Sequence, residues 1–143
     1  MNNMAKTIDM QFMRYINLFE RFSGVSTSDC FVYNNILFFG VPKSKVFKAL
    51  GPRSSNVKKL SEVLRRKVKI IEMPLGEEGR KKFVLDLIDP IEANKVEFNE
   101  KEVVVSAGMQ SRAMLIGRDR IREREMLEIL NRNFGIEKVK ICQ

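Results

Sequence analysis

KSKVFKALGPRSSNVKKLSEVLRRKVK, running from Lys43 to Lys69, decides how the chain folds. It reads as helix, tight turn, helix, strand. Val46, Phe47 and Leu50 fall on one apolar face of the first helix. Gly51-Pro52-Arg53-Ser54 then breaks it, because glycine admits backbone angles closed to other residues and proline fixes φ and lacks a donor. Ser54 or Ser55 is placed to cap a second helix, on which Val57, Leu60, Val63 and Leu64 recur at helical spacing. Val68, Ile70 and Ile71 follow as a β-branched strand. The stretch carries ten Lys/Arg against one acid, Glu62, a net of +9 in a chain whose total is +8. The excess positive charge is therefore concentrated around one turn between two helices.

The whole chain has 143 residues, room for one ordinary domain or two small ones. With 44% hydrophobic and 31% charged residues it has the material for a core and is not a disordered chain. Localised basic charge predicts a polyanionic partner, nucleic acid first and an acidic membrane surface second. A merely solubilising surface would spread its lysines.

There is no histidine, and there are two cysteines, Cys30 and Cys142. Four-ligand zinc sites are hard to build from one such chain and His-dependent acid–base or nucleophilic mechanisms are excluded, so no metal, cofactor or catalytic residue is expected. Glu77, Glu78, Asp86 and Asp89 read as solvated helix carboxylates, with no phosphate-cradling GxxxxGK[ST] loop beside them. Each cysteine lies in a strand-like run, which favours reduced thiols in a cytosolic protein over a disulfide. Met1 to Phe12 lacks a basic segment followed by an apolar one, and the longest apolar run, Ile36 to Val41, is too short to cross a bilayer. A soluble, cytoplasmic protein with no membrane or small-molecule partner is expected.

Along the chain, residues 7–22 carry Ile8, Phe12, Tyr15, Ile16, Phe19 and Phe22 at helical spacing, stopped by Ser23-Gly24. Cys30 to Tyr33 and Ile36 to Val41 are strands around Asn34-Asn35, a pair suited to a two-residue hairpin turn with positive φ. The opening stretch follows, and Pro74 to Gly76 ends its strand. The pattern then begins again. Glu77 to Ile88 is a helix stopped at Asp89-Pro90. Lys95 to Phe98 and Glu102 to Ala107 are strands around Asn99-Glu100-Lys101. Gln110 to Ile116 is a short helix, Gly117-Arg118-Asp119-Arg120 a turn, Ile121 to Asn133 a longer helix, and Lys138 to Cys142 a final strand.

The halves align at an offset of 66 residues: Gly51 falls on Gly117, Leu50 on Ile116, Leu60 on Met126, Val63 on Ile129, Leu64 on Leu130 and Phe39 on Val105. A repeated α-β-β-α-α-β unit accounts for this, with domains at 1–74 and 75–143. Units of about 65 residues are marginal alone, so they are expected to pack on each other.

An α-β-β-α-α-β unit with a tight loop opening its last long helix resembles a type II KH domain, and two in tandem resemble the archaeal NusA-like transcription factors. The resemblance covers roughly Ile8 to Ile141. It is carried by Tyr15 to Glu20, by Gly24 to Cys30, by Ala49 to Lys58, and in the second half by Leu115 to Arg118 and Asn133 to Ile136. It implies an α+β fold and binding of single-stranded RNA, a nascent transcript, during elongation, pausing and termination. Bacterial relatives add a polymerase-binding domain and an S1 domain, neither of which fits here, so contact with RNA polymerase stays an open alternative.

In that family the loop between the paired helices is GxxG and clamps the backbone of about four nucleotides. Glycine lets phosphates approach the main chain, and amide N–H groups at the following helix start favour an anion. By resemblance the first RNA-binding loop comprises Lys43, Lys48, Gly51, Pro52, Arg53, Ser54, Asn56, Lys58 and Lys59, with Ser54 where the second glycine belongs. The second, weaker loop offers Gly117, Arg118 and Arg120, with Arg120 in place of the second glycine, Asp119 at the phosphate approach and Glu123 where the first half has Val57. Residues 110–133 carry a net of +2 against +9 in the first stretch. The second half is either an RNA-binding unit or a degenerate KH fold kept for packing or a protein contact. For the chain as a whole, loss of the second glycine in both loops leaves the alternative of a degenerate KH scaffold that binds RNA polymerase or the ribosome through protein contacts. The phenylalanines are expected in the core, and no aromatic lies inside either loop, so backbone clamping is expected to outweigh base stacking.

Overall fold

The computed structural model describes residues 3–143, with side chains from residue 10 onward. The chain divides into two compact units, Met1–Met73 and Pro74–Gln143. In order, the first holds α1 (Asn3–Ser23), β1 (Asp29–Tyr33), β2 (Ile36–Val41), α2 (Val46–Leu50), α3 (Ser55–Leu64) and β3 (Val68–Glu72). The second holds α4 (Glu77–Ile88), β4 (Lys95–Asn99), β5 (Glu102–Ser106), α5 (Met109–Ile116), α6 (Ile121–Phe134) and β6 (Lys138–Cys142). Each unit is thus α-β-β-α-α-β, an α+β arrangement of helices on a three-stranded sheet.

The two sheets share one topology. β2 lies between β1, antiparallel to it, and β3, parallel to it. β5 lies likewise between antiparallel β4 and parallel β6. Tyr33 pairs with Ile36 across Asn34 and Asn35, whose φ values of 52° and 63° are those of a tight hairpin turn. In the second unit Asn99 pairs with Glu102, so Asn99 belongs to the strand and the turn is two residues, Glu100 and Lys101. A parallel partner for β2 requires a crossover, and α2 and α3 supply it. This crossover brings the Gly51 turn to the end of the α2–α3 pair.

The first core forms where α1 crosses the sheet. Tyr15 and Phe19 from α1 meet Leu37, Phe39 and Val41 from β2, Ala49 from α2 and Leu60 from α3. Phe19 and Phe39 stack with ring centroids 4.5 Å apart and planes 9° from parallel, and both are fully buried. Ile8, expected on the same helical face, has its side chain outside the described residues. The helix ends as its sequence dictates: Ser23 Oγ donates to the Phe19 carbonyl at 2.7 Å, and Gly24, at φ 70°, donates its N–H to the Glu20 carbonyl. Every residue of β2 is buried, which is why it reads as a continuous apolar run and not an alternating one.

In the second unit Phe83, Val84, Leu87 and Ile88 of α4 are buried, as are Val103 and Val105 of β5, Leu115 of α5, and Met126, Ile129 and Leu130 of α6. The 66-residue offset holds from the first strand into the last helix. α6 then runs 14 residues where α3 runs 10, one further turn, so β6 follows β3 at an offset of 70. Because α3 stops at Leu64, Val63 is 53% exposed whereas Ile129 is buried, a departure from the expected equivalence. Arg65 terminates α3 in the left-handed region, and Arg66 turns back over the Tyr15 ring at 6.0 Å. Part of the Arg65-Arg66-Lys67 run therefore packs against the core. Cys30 is buried, Cys142 is half-buried, and both are free thiols.

Candidate nucleic-acid interface

Both loops have the same backbone. Gly51 stands at φ 76°, ψ 171° and Gly117 at φ 76°, ψ 170°. Two residues later Arg53 and Asp119 are left-handed (φ 53° and 55°), and so are Ser54 and Arg120 (φ 59° and 61°). The N–H of the fourth residue closes each turn onto the carbonyl of the first, Ser54 to Gly51 at 3.0 Å and Arg120 to Gly117 at 3.2 Å. The fourth position is the one where GxxG has its second glycine. Ser54 and Arg120 occupy it in a conformation that suits glycine, so the turn keeps its path and each residue bears the strain of a left-handed L-residue, about 1–2 kcal/mol.

Gly51 is required on two counts. Its backbone lies in a region essentially reserved for glycine. A Cβ there would also sit 2.8–2.9 Å from the Asn56 side-chain amide and from Ser55 Oγ. Asn56 holds the turn from below, Nδ2 donating to the Lys48 carbonyl at 3.3 Å and to the Ala49 carbonyl at 3.2 Å. This ties the last turn of α2 to the first turn of α3. The side chain named above as an RNA contact is thus engaged with the loop's own scaffold. Ser54 makes no side-chain capping bond to α3, contrary to the expectation for it: at φ 59° it is left-handed, whereas a capping residue is extended. Its hydroxyl is left for other use.

The charges around the loops differ. Lys43, Lys45, Lys48, Arg53, Lys58 and Lys59 are exposed, and among the described residues none of their charged groups is engaged in an ion pair. Arg53 stands in the turn itself, Lys58 and Lys59 on the first turns of α3. Lys48 runs instead over Gly24 at the end of α1, its Cε and Nζ 3.7 and 3.9 Å from where a Cβ would stand. There it meets the negative end of the α1 dipole. At the second loop the cations are engaged internally. Arg120 binds both carboxylate oxygens of Glu123 at 3.1 and 3.2 Å, Arg122 pairs with Glu125, and Arg124 Nη1 donates to the Asp119 carbonyl at 2.6 Å. Arg118 remains exposed.

One expectation fails outright. Phe47 does not join an apolar face with Val46 and Leu50: it is 87% exposed. α2 is only five residues long, and Ala49, about 200° further around it, is the residue turned to the core. With so short a helix, the sequence carries no periodicity that distinguishes the two faces.

No family model matches the chain. A curated relative, the probable transcription termination protein NusA of Halococcus morrhuae, is 26% identical over 142 residues, covering 97% of this chain and 100% of the relative. Among solved structures, the crystal structure of APE1850 is similar with a TM-score of 0.61 and 25% identity, over 90% of this chain and 96% of that one. Two KH-type units in series, each with its loop between the paired helices, and likeness to NusA along nearly the whole length make the chain similar to the archaeal NusA-like proteins.

Proposed function

We propose that the chain is an RNA-binding transcription factor whose first unit clamps the backbone of single-stranded RNA, the nascent transcript, and that it acts in elongation and termination in the cytoplasm. The observation that carries this is the first loop: a GxxG backbone path with unpaired Arg53, Lys58 and Lys59 beside it. Phosphates approach the main chain at Gly51, and Ser54 Oγ and the start of α3 offer donors to them. Lys43 adds long-range attraction on the α2 side, and Lys48 does so from its place over Gly24. Such a site binds and does no covalent chemistry. Affinity for single-stranded RNA is expected to fall by about 0.7 log unit per tenfold salt for each phosphate neutralised. Arg53→Asp with Lys58→Glu should weaken binding and flatten that slope; unchanged affinity and slope would refute the loop assignment.

A second reading concerns the second unit. Arg120, Arg122 and Arg124 are held by Glu123, Glu125 and the Asp119 carbonyl, which favours a scaffold making a protein contact, with RNA polymerase or the ribosome, over a second RNA clamp. Capture from native lysate with and without RNase tests it: partners that persist after RNase support a protein contact, and their loss under RNase opposes it.

A further inference from the structure

Phe47 is the one aromatic ring exposed among the described residues. No other ring and no cation packs on it. Its position is specific. It stands one helical turn before Gly51, whose N–H donates to the Phe47 carbonyl at 3.1 Å, so residue and loop share one side of α2. Lys43 lies four residues to the other side, and Lys45 and Lys48 flank it in sequence, all exposed. A docking surface for an apolar protein segment needs a contiguous apolar patch. Here a single exposed ring lies in a stretch of chain with three exposed lysines, the combination that single-stranded nucleic acid recognition uses: charge for the backbone and a flat π-face for a base.

The second unit supplies the contrast. At the 66-residue offset Phe47 falls on Ala113, also exposed, beside the loop in which Arg120 is paired with Glu123. The exposed aromatic ring thus occurs in the unit with the larger set of unpaired cations, whereas the second loop has Arg118 exposed and no ring beside it. An exposed ring also contributes almost nothing to folding, since it removes little apolar surface from water.

We propose that Phe47 is a base-stacking platform. With phosphates held at the Gly51 loop, the adjoining nucleobase lies on the Phe47 ring one helical turn away, a contact tolerant of base identity because every base has a π-face. This inference rests on the RNA-binding reading and adds a stacking residue to it.

The test uses the full chain and short single-stranded RNAs. Phe47→Ala is expected to lower affinity about 5- to 100-fold while leaving the salt slope unchanged, because no phosphate contact is lost. Phe47→Tyr should retain binding, and Phe47→Leu, apolar but without a π-face, should fall between. In the wild type one base should show ring-current upfield shifts. An abasic nucleotide at that position should weaken the wild type and leave Phe47→Ala unaffected. Affinity of Phe47→Ala within twofold of wild type, while Arg53→Asp weakens binding, would overturn the stacking role and leave the RNA reading standing. Absence of wild-type binding to any single-stranded RNA would overturn both. The helical circular dichroism of each variant should match wild type, since the replaced ring is solvent-exposed.

Discussion

Replacing Gly51 by alanine probes the turn on which the first unit's site depends. Three contributions set its size. At φ 76°, ψ 171° a residue with a Cβ carries about 1–3 kcal/mol of backbone strain. The new methyl carbon also falls 2.8–2.9 Å from the Asn56 amide, which must move and weaken its bonds to the Lys48 and Ala49 carbonyls. Each such bond is worth about 0.5–1.5 kcal/mol, and at 3.2–3.3 Å both belong at the low end. Against these, alanine reduces the freedom of the unfolded chain, which returns about 0.4–1 kcal/mol. The net expectation is a loss of about 2–3 kcal/mol, read as a fall in the urea midpoint of the full chain and as faster hydrogen exchange in α2 and α3. Gly76→Ala is the steric control: Gly76 is extended and has nothing within 4 Å of a Cβ, so only its preference over alanine as the capping residue of α4 is lost, about 0.5–1 kcal/mol. Because the Asn56 bonds are part of the loss, the double variant Gly51→Ala, Asn56→Ala should cost less than the sum of the singles, by about 1 kcal/mol. If Gly51→Ala stays within 0.5 kcal/mol of wild type, neither the backbone argument nor the Asn56 brace holds.

Three further outcomes are expected. Ser54→Gly should stabilise the chain by about 0.5 kcal/mol, since relief of about 1–2 kcal/mol of left-handed strain exceeds the entropy of a freer unfolded chain; a lower urea midpoint would contradict this. Phe19→Ala should cost about 3–5 kcal/mol, because it empties a fully buried site and removes the stack on Phe39, and thermal denaturation reads the loss. On strand β4, Lys95 and Glu97 project to the same side of the strand and pair. The hydrogen bond from Lys95, followed by its charge, holds the Glu97 carboxyl below the usual carboxylate range, and the same hydrogen bond and the Glu97 charge push Lys95 up. The Glu97 contribution is therefore present above its unfolded pKa and lost as pH falls through the folded one. The Lys95 contribution is present below its unfolded pKa and lost as pH rises through the folded one. Lys95→Met should return the Glu97 titration, followed by carboxyl NMR, to the ordinary range.

Much of the fold is legible in the residues. Long periodic segments set α1, α4 and α6, Asn34-Asn35 sets its hairpin turn, and Gly51 and Gly117 mark matching turns between paired helices. The concentration of positive charge between Lys43 and Lys69 is legible in the sequence alone. Legibility ends where segments become short. A five-residue helix makes less than one and a half turns, so Val46, Phe47 and Leu50 look like one face, although Phe47 stands in solvent. Val63 is misread for a related reason: α3 ends one turn before its counterpart, and nothing in the local spacing announces how far a helix will run.

By itself, then, the sequence determines the order of elements, the repeat, the two glycine turns and the sign of the charge, because these follow from local backbone preference and from periods sustained over several turns. Tertiary structure alone decides how those parts are used. It sets Asn56 to bracing the loop and Lys48 to the end of α1, leaves Arg53 free while Arg120 is bound by Glu123, keeps the left-handed path at Ser54 and Arg120, and turns Phe47 outward beside Gly51. The physical reason is that ion pairing, bracing and exposure depend on distances between elements, and those distances exist only once the helices have packed on the sheet.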